Sequence, residues 1–430
     1  MMRHHPIDPG LFALNRKHLF ERLPDDCLTV LNANDLMPSN ADGTLLYHPN
    51  SDLFYLAGVE QEESILLLHP GANKASERAH LFIRKPNPTL LIWEGYKLNK
   101  TDARKISGIS QVHWVEDFNE VFAKLARRVQ GPFYLNDNEH QRADNPVETR
   151  DQRFRTSLRS RYPKRKFMRL APHMHALRFV KEPREIELIK QAVKVTTDTF
   201  KEVLPFIKPG VMEYEIEAEW ARSFISKRCK FAYGPIIASG KNACVLHYLQ
   251  NDQACKKGDL ILMDVGACYA NYNADLTRTV PVSGKFSRRQ KQVYQAVLRV
   301  LQKSITGATV GKAIKQWRSE SHEMMNEELV RLKLISLKDI KNQKPGKPAC
   351  HKYFMHGLGH SLGLDVHDVS NGQTHLTEGA VFTVEPGIYI PEEGIGIRLE
   401  DDIVISDDQP INLMADAPLD PNEIEERMNP

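Results

Sequence analysis

No two cysteines in this 430-residue chain stand at CxxC spacing. That excludes the commonest zinc-knuckle and thiol-redox signatures. The six cysteines, Cys27, Cys229, Cys244, Cys255, Cys268 and Cys350, are scattered, which reads as free thiols in a reducing compartment. No apolar run exceeds strand length, so no membrane-spanning helix is expected. The opening MMRHHPIDPG has no apolar core of a secretory leader. A net charge of +3 is too mild to argue for a nucleic-acid partner. Neither HExxH nor a Walker loop is present. The expectation is a cytoplasmic protein with no membrane or nucleic-acid partner.

What is present is a chain long enough for two domains, with 41% apolar and 26% charged residues. In the first part DCLTVLNAN, SDLFYLAGV, ESILLLHPG, AHLFIRKPN, LLIWEG and GPFYLND read as strands. Between the last two, EDFNEVFAKLARRVQ sets Phe118, Val121, Phe122 and Leu125 on one helical face. This is a mixed α/β domain over residues 1–170. The basic stretch RDQRFRTSLRSRYPKRKFMRL has no interleaved aromatics of the nucleic-acid kind and reads as a solvated linker or helix.

Residues 171–430 form a second domain. REIELIKQAVKVTTDTFKEVL is a long amphipathic helix stopped by KPG, and EYEIEAEWARSFISKR is a second. Strands follow, then a helix pair opened by SRRQKQVYQAVLRVLQKSI, then more strands. GDLILMDVG at 258–266 aligns with GAVFTVEPG at 379–387: each has a glycine, an acid six residues on, and a glycine two beyond. A further acid follows in each copy, Asp275 and Glu400. The repeat implies two related halves.

Asp264, Asp275, Glu385 and Glu400 would then share one interface. Converging acids repel unless protonated or neutralised, and a pair of divalent cations resolves this. YFMHGLGHSLGLDVHDVS adds His356, His360 and His367; one can be a ligand and the others can face substrate. Its GLG does not continue as GxGxxG. HMH at 173–175 is a lesser metal candidate. From pattern alone the reading is a two-metal hydrolase.

ASGKNACVLHY, DVGACYANYNADLTRT, HGLGHSLGLDVHD, TVEPGIYI and GIRLEDD, in that order, resemble the motifs of the pita-bread metallopeptidases, in particular aminopeptidase P and prolidase. SDLFYLAGVEQEESILLL and IWEG resemble the creatinase-type N-terminal domain of that group. The resemblance implies an α+β fold, with a pita-bread catalytic domain of duplicated halves behind a mixed α/β domain. It implies metal ligands Asp264, Asp275, His360, Glu385 and Glu400, with Asp275 and Glu400 bridging two ions. Manganese is the usual ion, zinc or cobalt the alternatives. The nucleophile is the bridging hydroxide, and Glu385 moves its proton. His247, His356 and His367 resemble substrate-binding histidines of catalytic importance, and Tyr389, Arg398 and Trp93 are further substrate-binding candidates.

The implied substrate is a peptide with proline second, whose scissile nitrogen carries no N–H. A homodimer or homotetramer is implied. The rival readings are a prolidase confined to Xaa-Pro dipeptides and a metal-free creatinase-like or non-enzymatic relative.

Overall fold

In the computed structural model, residues 4–429 are described except 138, 141, 144, 145 and 371. The chain divides into two compact units: residues 1–178 with 369–372, and residues 179–368 with 373–430.

The first unit is built on a six-stranded mixed sheet in the order Gln111–Trp114, Ala79–Ile83, Ile65–Leu68, Leu28–Asn32, Phe133–Leu135, Phe167–Arg169. The helix Phe118–Arg128 packs Phe118, Phe122 and Ala126 onto it, with Val121 and Leu125 at the margin, as the spacing requires. Rings run on through Phe82, Phe118, Phe122 and Phe133 in edge and stacked contacts. Each buried phenylalanine contributes about 1.5–3 kcal/mol. The helices Ser51–Ala57 and Lys100–Ser107 end on carbonyls that accept from one buried guanidinium: Arg16 donates to Leu56 O at 2.6 Å and to Ser107 O at 3.0 Å. The cation meets the negative ends of two helix dipoles.

Two expected strands are helices. SDLFYLAGV folds as the helix Ser51–Ala57, started by Asn50, whose side chain accepts from Leu53 N at 3.0 Å, and stopped by left-handed Gly58. Leu53 to Ala57 are all buried, so no apolar period distinguishes helix from strand. LLIWEG lies in the helix Pro88–Glu94, capped by Asn87, begun by proline and closed by Gly95 at φ 75°. The basic stretch supplies the helix Arg150–Arg161 and the strand Phe167–Arg169. Several of its arginines are spent within the unit, as in Arg153 with Asp35, Arg155 with Asp137 and Arg169 with Glu139.

The second unit repeats itself. The helices Pro183–Val203 and Glu213–Ser226 precede a sheet in the order Thr277–Pro281, Leu260–Asp264, Ile236–Ser239. The helices Arg288–Thr306 and Ile314–Arg331 precede a sheet in the order Val381–Val384, Asp401–Val404, Ile411–Asn412. In each half a short hairpin interrupts the acid-bearing pair: Ala267–Tyr269 with Tyr272–Asn273, and Gly387–Ile390 with Ile395–Arg398. The register places Asp264 opposite Thr277 and Val384 opposite Asp401. At the acids, the halves join through a bridge between Thr277 and Glu400. Buried Arg278 spans it, donating to Thr277 O and Glu400 O and pairing with Asp401 at 2.7 Å. Among the described residues no helix is long and apolar enough to cross a membrane.

Candidate metal centre

The seam gathers the acids. Asp264 ends its strand; Asp275 and Glu400 lie just ahead of the strands that pair back; Glu385 follows Val384 directly. Thr277 donates its hydroxyl to Glu400 Oε2 at 2.6 Å, and Glu400 N donates to Thr277 O at 3.0 Å. His360 arrives on a segment laid along the second half: Glu385 N donates to Leu358 O, and Thr383 N to His360 O. Glycine is required at 359, because a Cβ there would stand 1.9 Å from Thr383 O.

His360 Nδ1 lies 3.1 Å from Ser361 O, which only accepts, so the proton sits on Nδ1. The bare Nε2 faces carboxylate oxygens of Asp275 and Glu385, each at 3.6 Å. Ligand atoms of Asp275, His360 and Glu400 all fall within 4.8 Å of one another.

Charge in this cluster is out of balance. Burial, then the charges of Asp264 and Asp402, pushes the Asp275 carboxyl well above the usual range; burial, then Asp275 and Glu385, does the same to Glu400. Buried Arg398 is a cation at the site and pairs with Asp264 Oδ2 at 2.5 Å. Carboxylates and one imidazole, short of positive charge, are a donor set for hard or borderline divalent ions. The residues present fit a metal pair.

The other expected residues divide. Arg398 donates to the Tyr389 hydroxyl at 3.0 Å, and that hydroxyl lies 2.7 Å from His356 Nε2. His356 Nδ1 faces Gly357 O at 2.9 Å, so its proton is there and Nε2 accepts from Tyr389. Burial, then Arg398, lowers His356 to about 3, and burial raises Tyr389 to about 12: the chain runs through neutral groups. The His367 ring meets His360 edge-on at 4.2 Å. His247 is exposed in the turn after Gly240–Cys244, near enough to His356 for their charges to interact. Trp93 lies in the first unit, 83% exposed on the helix Pro88–Glu94. His173 and His175 sit on the helix Ala171–Phe179, where His173 packs on Tyr134. They join no metal-competent cluster among the described residues.

Three residues have no counterpart in the sequence reading. Tyr233 places its hydroxyl 2.5 Å from both Asp264 Oδ1 and Asp275 Oδ1. Thr277 and Asp402 hold Glu400 and Asp275, and each stands two residues beyond an acid, a signal available in DLTRT and LEDD. GHSLG at 359–363 also has GxSxG spacing, the serine-hydrolase elbow. Ser361 is only 2% exposed and forms an isolated bridge with Phe382, so it is not an exposed nucleophile on a strand-to-helix turn.

The sequence pattern of metallopeptidase family M24 matches residues 187–407, and that of the aminopeptidase P N-terminal domain matches residues 12–134. The chain belongs to metallopeptidase family M24. It is 33% identical to the Xaa-Pro aminopeptidase of Escherichia coli and 32% to that of Haemophilus influenzae, over 97% of both chains in each case. The solved aminopeptidase P from E. coli with the inhibitor Pro-Leu superposes at a TM-score of 0.86, with 32% identity over 99% of both chains. In M24 terms the fold is a pita-bread domain behind an aminopeptidase P N-terminal domain, and the repeat across Thr277 and Glu400 is its duplication.

Proposed function

We propose that this chain is an Xaa-Pro aminopeptidase, removing the first residue from peptides with proline second. One observation carries the reading: Asp264, Asp275, His360, Glu385 and Glu400, drawn from both halves, converge on one buried seam. Relatives named Xaa-Pro aminopeptidase along the full length, and a related structure holding Pro-Leu, support it.

Those five residues would hold two divalent ions, manganese first, with zinc or cobalt as alternatives. Bound there, the ions supply a Lewis acid and a water acidic enough to attack at neutral pH. The protein groups do the rest. Glu385, half-buried at the cluster's edge, takes and returns the proton of the attacking water. Arg398 balances Asp264 and fixes Tyr389, which holds His356 neutral and oriented. His247 and His367 donate to the substrate carbonyl as charge builds on it, and His356, neutral and accepting from Tyr389, lines the substrate side. A tertiary Xaa-Pro amide asks for no acceptor opposite its nitrogen. Tyr389, Arg398 and Trp93 complete the substrate contacts, Trp93 from a neighbouring subunit of a dimer or tetramer. The compartment is the cytoplasm.

Xaa-Pro and Xaa-Pro-Xaa peptides, assayed with manganese, zinc and cobalt in turn, test this reading. Release of the first residue from the tripeptide supports it. Cleavage of the dipeptide alone makes the chain a prolidase, and no cleavage with any ion makes it a non-catalytic relative.

A further inference from the structure

Next to the edge-to-face pair His360 and His367 in the chain lies a buried cation. Lys181 Nζ reaches Asp368 Oδ2 at 3.2 Å, Phe179 O at 3.3 Å and Ser361 Oγ at 3.4 Å. An ammonium has three N–H donors, and each finds an acceptor here. The side chains of Lys181 and Asp368 are 1% and 2% exposed. Ser361 immediately follows His360, and Asp368 immediately follows His367. The ammonium therefore ties together the two residues next to the paired rings.

Nothing around it is loose. Asp368 N donates to Ser361 O at 2.8 Å and closes the segment between them. Asn273 holds the carbonyls of Gly363 and Leu364 at 3.0 Å each. A Cβ on Gly363 would stand 2.2 Å from Asp368 Oδ2 and 3.0 Å from Lys181 Cε. A surface ion pair of this kind would do little, but a buried one with all its donors filled fixes a single geometry.

We propose that Lys181 is a positioning residue for the His360–His367 pair, holding the one on the metals and the other against it at the substrate side. This rests on the metallopeptidase reading given above. Lys181 touches neither metal nor substrate; it acts through Ser361 and Asp368.

The test uses the full chain, with manganese binding by calorimetry and kcat and KM on an Xaa-Pro-Xaa tripeptide. Lys181→Met alone would strand a buried carboxylate, so it is paired with Asp368→Asn, which removes both charges at similar volume. The expected result for the folded pair is manganese affinity about tenfold weaker and a lower kcat at little-changed KM. Lys181→Arg keeps the cation but cannot reproduce the three-way contact of an ammonium, and shifts both readouts in the same direction by a smaller factor. It decides the matter if the paired variant does not fold. Wild-type affinity and kcat in either folded variant would overturn the proposal. Failure of the unaltered chain to bind manganese would instead overturn the reading on which it rests.

Discussion

The backbone N–H of Asp275 donates to Asp402 Oδ2 at 3.0 Å, across 127 residues of chain. Each half thus holds the other: Asp402 of the second supports Asp275 of the first, and Thr277 of the first supports Glu400 of the second. The consequences concern the ligands, the ions, the neutral chain beside them and one acid of the first unit.

Asp275→Asn removes a charge whose ionisation burial and its neighbours already oppose. The expected outcome is a loss of activity by orders of magnitude with the fold intact. The metal-free variant should melt no lower than the metal-free wild type. Near-normal turnover would mean that Asp275 is not a ligand.

Divalent ions should stabilise the folded chain by mass action. Manganese at a hundred times its dissociation constant adds about 2.7 kcal/mol. Melting in manganese against melting in excess chelator measures this, and Asp275→Asn should narrow the difference. Equal melting temperatures in the two buffers would count against an ion at the seam.

Tyr389→Phe breaks the chain from Arg398 to His356 and leaves two buried groups short of a partner. An unmet buried polar group costs about 1–3 kcal/mol. A fall in kcat of about 10–100-fold is expected. An unchanged kcat would remove Tyr389 from the working site.

Asp151, in the first unit, accepts from Asn32 N at 3.3 Å and Asn32 Nδ2 at 2.7 Å, and burial pushes its carboxyl up to about 7. An unfolded aspartate titrates near 3.9. The folded state therefore keeps a proton that the unfolded state releases between those values. The stabilisation is complete below about pH 4 and is lost as pH rises through 7, a few kcal/mol at about 1.4 kcal/mol per pH unit between them. Urea unfolding at pH 5 and pH 8 should show this decline in the wild type and a flatter one in Asp151→Asn. Parallel declines would refute it.

Legibility in the sequence followed physical cause. The long helices carried a 3.6-residue period and clear caps, and Pro183–Val203, Glu213–Ser226 and Arg288–Thr306 lie where that period ran. The acids were legible because glycine and acid recur at fixed offsets in both copies. Ser51–Ala57 and Pro88–Glu94 were misread for opposite reasons. The first is buried on every side, and the second leaves Leu91, Ile92 and Trp93 in solvent, so neither shows an amphipathic stripe. Their caps, Asn50 with Gly58 and Asn87 with Gly95, were the better signal. Tyr233 could not be read at all: it lies 31 residues from Asp264 and 42 from Asp275, and only the folded chain makes them neighbours.

The bridge between Thr277 and Glu400, with Arg278 laid across it, also says how the protein should fail. Each sheet has its own hydrogen bonds, yet neither contains a complete ligand set. Heat or proteolysis that parts the halves by a few ångströms would empty the centre while both sheets still stood. Loss of bound metal should therefore precede loss of secondary structure, and activity should be a more sensitive gauge of damage than any spectroscopic measure of folding.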